Sequence, residues 1–409
     1  MSSPPIHPNQ VAEPSLKWEV VHGFEDPNLD ETEWDDLAKQ SGAEIYQSYR
    51  WSKTWWDYYG EGRDLHILVF HSEAQSVAIL PFMVETIGWG PFKVRIAKQL
   101  ASDYTMGTMV PPVPLEFFEP VCLATHRHFL EEERCDAIRW GPITGIESIE
   151  GFSDALQGPL MKDGYVLKKI PHGVESILDL PDDFESYLGG LSKNHRTNYR
   201  RSRNKLERET NYVVRVIEGS AGALESFEEF KRIHTRQWEA VGEPGHFGDW
   251  PKAEKFHQEM VKSESATGRL ALVCSTANGE MVSAQYGYTF GDQFTWLLPA
   301  RRMEEEWNKY GLGRVGFIHM VEAAIQRGCR RIHLGGAYWG YKSDLGGKEE
   351  PTESLIVTQN GEKLRRIQRL QRLMKGYGIL YYRIWFKRIA PRLPWCRGPL
   401  WDSWIRGKL

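Results

Sequence analysis

Hydrophobic positions along this chain fall into two runs with the same order of elements. In the first, residues 65–71 and 77–86 are rich in β-branched and aromatic side chains and meet at a short polar turn, which predicts a hairpin. Residues 93–100 follow as a third strand, 115–133 carry helical periodicity, and 137–140 read as a short buried strand. In the second run, 269–275 and 281–290 flank Asn278-Gly279, a dipeptide suited to a tight hairpin turn because both residues tolerate positive φ. A strand at 294–300, a helix at 312–327 and a strand at 331–334 complete the same order. The junctions before the last strand also correspond: Cys135-Asp-Ala-Ile-Arg-Trp-Gly141 stands beside Cys329-Arg-Arg-Ile-His-Leu-Gly335. A duplicated α/β (α+β) unit is therefore expected. Between the copies lie a turn around Pro181, a basic helix at 192–208 and a long amphipathic helix at 221–241.

Length fits this reading, since 409 residues exceed one ordinary core. The expected division is an extended or disordered arm at 1–17, a first domain at 18–178, a second at 179–360 and a basic tail at 361–409. Sixteen tryptophans point to large apolar cores and grooves. The five cysteines are scattered without a C-x-x-C, so no disulfide framework and no metal are expected. Residues 1–14 are polar and proline-bearing rather than a signal peptide, and no apolar run is long enough to span a bilayer. The expected setting is the cytoplasm, with peripheral contact at the inner face of the membrane left open.

Charge is unevenly spread. The tail carries 13 Lys/Arg against two acids, so the remainder of a chain of net charge −4 is strongly acidic. Within that acidic body, residues 191–208 hold seven Lys/Arg and one Glu. These islands are where anionic partners would bind. The tail repeats Leu364, Ile367, Leu370 and Met374 at helical spacing among arginines, and Trp395, Trp401 and Trp404 follow. That pattern suits an anionic membrane surface or packing against the acidic body.

One turn carries a chemical suggestion. Asn308-Lys-Tyr-Gly311-Leu312-Gly313-Arg314 stands directly before the helix of the second run. Unpaired N–H groups at a helix start attract phosphates, and glycines allow their close approach. The motif resembles the acyl-CoA signature of the GNAT superfamily, Q/R-x-x-G-x-G/A, with Asn308 in place of the usual first residue. The second half is similar to the BioF2-like, or CelD-like, acetyltransferase branch, which is related to the FemAB-type peptidyl transferases. The resemblance rests on Arg236-Gln-Trp-Glu-Ala-Val-Gly242, the glycine turn and Gly335-Gly-Ala-Tyr-Trp-Gly-Tyr341-Lys342, and in the first half on Tyr49-Arg-Trp-Ser-Lys-Thr-Trp55, Ala78–Phe82 and Ala101-Ser-Asp103-Tyr104. It covers residues 45–360.

The resemblance implies two tandem GNAT-like domains, each a mixed, mainly antiparallel twisted sheet flanked by helices, facing each other across a cleft. Only the second keeps a donor motif; the first has Pro111-Pro112-Val-Pro114 before its helix. It implies acyl-CoA, acetyl or longer, as donor, held by Asn308, Gly311, Leu312, Gly313, Arg314, Arg302 and Leu298. The thioester would lie near 297–298 and 334–337.

Aminolysis of a thioester needs a neutral amine, a proton acceptor and donors for an oxyanion. The sequence has no G-x-S-x-G, H-E-x-x-H or Walker A pattern. Asp103 is read as the residue that recognises or deprotonates the amine, or else as a turn cap. His333 lies on the strand beside the expected thioester, Tyr341 and Lys342 follow a glycine loop, and His234 lines a core or a groove. The expected activity is N-acyl transfer to an amino sugar, amino acid or peptide, with an acyl carrier protein as an alternative donor and partner. A FemAB-type transferase using aminoacyl-tRNA and a degenerate GNAT scaffold in polysaccharide export are the other readings. The basic island is short for gripping a nucleic acid.

Overall fold

The computed structural model describes residues 16–389 except 74, 104–106, 163, 243, 244, 250 and 337–339, together with 393 and 405–407. Its described strands are β1 (Leu16–Val21), β2 (Asp64–Ser72), β3 (Gln75–Ile87), β4 (Val94–Gln99), β5 (Ala137–Thr144), β6 (Val166–Asp179), β7 (Tyr212–Ile217), β8 (Leu270–Ala277), β9 (Glu280–Phe290), β10 (Gln293–Arg301), β11 (Arg331–Gly336) and β12 (Lys348–Thr358). They form one 12-stranded sheet in the order β1-β2-β3-β4-β5-β12-β6-β11-β10-β9-β8-β7. β4–β5 and β10–β11 pair in parallel and the other neighbours antiparallel.

That order is a mirror. β1 to β5 on one side correspond to β7 to β11 on the other, and the centre is an exchange. β6 leaves the first half to pair with β11, and β12 leaves the second half to pair with β5. The exchanged strands then pair with each other from Lys348 to Thr358. The duplication appears within one continuous sheet rather than as two separate ones. Hydrophobic patterning does not reveal β6 or β12: Pro171 and Gly173 interrupt the first, Pro351 the second, and charged residues fill both. Their partners fix them instead.

The core also joins the halves. Trp34, Trp51 and Trp55 of the first pack in one cluster with Phe227, Phe230, Tyr286 and Tyr288 of the second. Such aromatic side chains bury more apolar area than any others. On the opposite face of β10 and β11, the helix Leu312–Gln326 sits on Phe294, Trp296, Ile332 and Leu334. The helix expected over 115–133 ends at Arg127 and continues as a π-helical turn, His128–Glu132.

The tail helix, Gly361–Leu380, buries Ile367, Leu370 and Met374 against Ile87, Val94, Ile96 and Ile356. Its apolar stripe is thus used by the body of the protein. Trp395, Trp401 and Trp404 lie outside the described residues. Among the described residues, no helix is long and apolar enough to cross a membrane.

Candidate functional site

β10 and β11 stay paired for only three positions, ending at Thr295 opposite His333. Beyond that point β10 bulges between Trp296 and Leu298 against β9, and runs on to Arg301 without pairing to β11. On the far side, β11 loses its regular register with β6 between His333 and Gly336. The two strands therefore open as a V whose apex is Thr295 and His333.

A cavity of about 450 Å³ occupies the opening. Trp296, Ala300 and Arg301 line it from β10, and Tyr341 and Leu345 from beyond β11. The start of the helix Leu312–Gln326 forms its floor. Gly311 caps that helix at φ +61°, ψ +40°, the left-handed region that glycine adopts without strain. No side chain caps the helix start; the Arg314 and Val315 N–H groups bond back to the Gly311 carbonyl, and the partial positive charge of the helix start remains for a ligand. A Cβ at Gly311 would meet only the Ser202 hydroxyl, and one at Gly313 only Arg301. Five of the seven residues expected to hold the donor, Asn308, Gly311, Leu312, Gly313 and Arg314, line this one cavity.

The other two do not. Arg302 donates to the Met281 carbonyl (2.9 Å), pairs with Glu280 (3.0 Å) and lines a smaller neighbouring cavity with Arg232 and Arg236. Leu298 is buried in the shared aromatic core. The bulge after Trp296 changes the face that Leu298 presents.

Beneath the apex lies a buried ionisable cluster on the face opposite the helix. His333 Nδ1 is 3.2 Å from a carboxylate oxygen of both Glu44 and Glu175. Its Nε2 is 3.1 Å from the Gln293 side-chain oxygen. Glu44 also accepts from the Thr108 N–H (2.6 Å) and the Thr295 hydroxyl (3.1 Å). A Cβ at position 107 would overlap the Glu44 carboxylate, so Gly107 is the residue that permits this approach. Burial pushes the Glu44 carboxyl up to about 7, with Glu175 adding to the rise and His333 and the two hydrogen bonds opposing it. Burial would lower His333, but Glu44 and Glu175 outweigh it and hold the imidazole above its ordinary value.

Lys342 adjoins this cluster. Its ammonium donates to the carbonyls of Leu334 (2.8 Å), Gly335 (3.2 Å) and Gly336 (3.3 Å), which fastens the end of β11. Burial lowers it to about 8, against the pull of Glu175. Tyr341, 44% exposed, stands at the cavity. His234 is buried, hydrogen-bonded to the Pro299 carbonyl (2.7 Å) and to His246 (3.2 Å), on a helix face packed in the core.

Asp103, read from the sequence as the residue that recognises or deprotonates the amine, belongs to a separate cluster. It is buried between Arg63 (2.8 Å) and Lys98 (2.9 Å), with Arg139 at 3.9 Å. Burial would raise its carboxyl, but these three cations outweigh it and hold it below the usual carboxylate range. A carboxylate so held is a weak base. The first half also has its V filled: the Met109 N–H donates to the Pro142 carbonyl (2.7 Å) and the Thr144 N–H to the Thr108 hydroxyl (3.1 Å). Residues 107–110 thus take the backbone groups that an inserted ligand would need.

Glu44 and Glu175 escape the sequence reading. Each is an acid in an unremarkable context, Ala43-Glu44-Ile45 and Val174-Glu175-Ser176; the crossing of β6 into the second half brings Glu175 to His333, and Glu44 reaches it from the turn before the 3-10 helix Ile45–Gln47.

Residues 193–343 match the family described as acetyltransferase (GNAT) domain. No curated protein matches the chain in sequence. Among solved structures it is similar to FemX, at 11% identity and TM-score 0.47 over 82% of this chain and 96% of that one. It is similar to the C-terminal domain of a putative lysylphosphatidylglycerol synthetase from Agrobacterium fabrum, at 11% and 0.47 over 82% and 94%. A tandem GNAT protein from the clavulanic acid biosynthesis pathway is similar at 12% and 0.40 over 84% and 99%.

Proposed function

We propose that this chain, whose residues 193–343 match the acetyltransferase (GNAT) domain family, is an N-acyltransferase that passes an acyl group from acyl-CoA to an amine. The observation that carries this reading is the open V of β10 and β11, with an uncapped, glycine-turned helix start on the floor of its cavity. The donor's pyrophosphate would lie on the N–H groups at Gly311–Gly313, with Arg301 and Arg314 beside it. The basic helix Lys193–Glu209 supports an anionic donor too. Ser202 lies 3.4 Å from the position of a Cβ on Gly311, and the Lys205 ammonium is 5.6 Å from the Tyr310 ring.

At the apex, the amine attacks the thioester carbonyl, a C–N bond forms, and the C–S bond breaks as the thiolate leaves. The amine's proton passes to Glu44, whose carboxyl near 7 is matched to that task at neutral pH. His333, shared by Glu44 and Glu175, holds the cluster's charge in balance. The acceptor enters on the face of Glu44, opposite the donor helix, and belongs to the amino sugars, amino acids or peptides.

Calorimetric titration of CoA into the wild type and into Gly311→Asp tests the donor site. Aspartate tolerates the left-handed backbone but sets a carboxylate where phosphates must approach. Binding by the wild type and its loss in the folded variant are expected. A folded wild type that binds no CoA, or equal affinity in both, overturns the reading. Thiol release from a series of acyl-CoAs against pooled amines then identifies chain length and acceptor.

A further inference from the structure

Away from the V, the first half holds a second cluster of imidazoles and carboxylate. His66 on β2 and His128 on the π-helical turn are both buried. Their rings point nitrogens at each other, with His66 Nδ1 3.1 Å from His128 Nε2. Glu133, half-buried, converges on the same point: one ligand atom from each of His66, His128 and Glu133 lies within 4.8 Å of the others. Behind His128, Nδ1 stands 2.9 Å from a Glu132 oxygen.

From this convergence we propose that His66, His128 and Glu133 bind a divalent transition ion of the zinc class, as a structural site in the first half of the sheet.

The chemistry of the donors fits such an ion. Two imidazole nitrogens and a carboxylate are a ligand set zinc accepts, and Zn–N bonds of about 2.0–2.1 Å in a tetrahedron set the nitrogens about 3.3 Å apart. The observed separation of 3.1 Å needs only a small adjustment. Glu132 supplies the outer support that metal-bound histidines require. By accepting the Nδ1 hydrogen of His128 it leaves Nε2 unprotonated and aimed at the site. At His66, binding moves the ring hydrogen from Nδ1 to Nε2, with no proton lost. Arg95 steadies Glu133, at 3.1 Å from Oε2. Apolar walls complete the shell: Trp18 packs on His128 at 5.6 Å and Phe129 on His66 at 5.6 Å. The π-helical turn is what aligns His128, Glu132 and Glu133, because a turn wider than the α-helix shifts the residues that follow it. The ion would pin β2 to the end of the helix Leu115–Arg127. It lies in a part of the chain that the acyl-transfer reading does not use.

The test titrates the full chain, stripped with a chelator, with Zn²⁺ by calorimetry and with Co²⁺ by visible absorption. One ion per chain is expected, with the visible bands of low-symmetry Co²⁺ and a zinc-dependent rise in Tm. His66→Gln and His128→Gln should weaken binding by at least about 100-fold, and Glu132→Gln by about 10–100-fold, the range for outer-shell partners. Should a histidine variant fail to fold, Glu133→Gln, at a half-buried position, replaces it and should abolish the Co²⁺ bands. Absence of a stoichiometric ion in the folded wild type overturns the site, as does unchanged binding in Glu133→Gln together with the folded histidine variants.

Discussion

Arg139 and His333 occupy the same place in the two halves. Each is the last residue of the last strand to pair in parallel, Arg139 with Lys98 and His333 with Thr295, before the strands separate. Each is followed two positions on by a glycine in the left-handed region, Gly141 at φ +90° and Gly335 at φ +73°. The chemistry around them has diverged. The first apex gathers Lys98, Arg63 and Arg139 around Asp103 and Glu85, and the second gathers Glu44 and Glu175 around one imidazole. One apex is tied shut by paired charges, and the other keeps a carboxyl that titrates near neutrality.

Asp103 should therefore matter for stability rather than for proton transfer. Asp103→Asn leaves the buried Arg63 and Lys98 with Glu85 as their only carboxylate in this cluster, at a cost of about 3–5 kcal/mol. Urea unfolding should show this loss, while CoA affinity of the folded variant stays within about twofold of the wild type. The folded carboxyl titrates below its unfolded value near 3.9. Its stabilisation is thus complete above that value and is lost as the pH falls through the folded one. The gap between wild type and Asp103→Asn should accordingly narrow in acid.

The duplication was legible because hairpins and glycine turns are local. Asn278-Gly279 and the alignment of 135–141 with 329–335 both depend on neighbours along the chain. That alignment survives residue by residue: Ala137, Ile138 and Arg139 pair as Arg331, Ile332 and His333 do. Most of the cavity's glycine-turn residues were legible for the same reason. The acidic half of the site was not. Glu44 and Glu175 are separated from His333 by long stretches of chain, and β6 reaches β11 only by crossing between halves. A strand held by its partners, with Pro171 and Gly173 in its own sequence, leaves no periodic trace. Asp103 was drawn to the site by its family-like segment, but its surroundings, Arg63 and Arg139, come from other strands and loops.

Lys342 should behave as a structural cation. It satisfies three carbonyls at the end of β11, and methionine in its place leaves them without that donor. Lys342→Met is expected to destabilise the protein by about 1–3 kcal/mol, the cost of buried polar groups left unpaired. KM for the acceptor should carry no added salt dependence in the variant. A KM that rises for anionic acceptors alone, and less so at high salt, would instead mark Lys342 as a substrate clamp.

The exchange of β6 and β12 makes each half incomplete by itself. Residues 1–180 lack the strand that covers β5, and residues 181–409 lack the one that covers β11. Each fragment alone should be expanded or aggregated by gel filtration, because it exposes an unpaired strand edge. Coexpressed, the two should copurify as a one-to-one complex with a cooperative thermal transition. Two independently folded fragments would show that the central β12–β6 pair contributes little.

Glu44 is the residue on which the proposed chemistry turns. Glu44→Gln keeps one oxygen to accept from the Thr108 N–H and turns an amide N–H toward the Thr295 hydroxyl oxygen, but it cannot take a proton. A fall of about 10²–10⁴-fold in kcat/KM is expected, the range for loss of a general base. CoA affinity should be preserved, since Glu44 lies on the face away from the glycine turn. In the wild type, activity should rise as the pH increases through about 7, where the buried carboxyl ionises, and this limb should vanish in the variant. Stability runs the other way. The folded carboxyl titrates above its unfolded value near 4.3, so the stability it contributes is present in acid and is lost as the pH rises through about 7. At pH 8 the glutamine variant escapes that loss, and its Tm should equal or exceed that of the wild type. A variant both inactive and unstable at pH 8 would make Glu44 a structural member of its cluster, and a fully active one would remove it from the reaction.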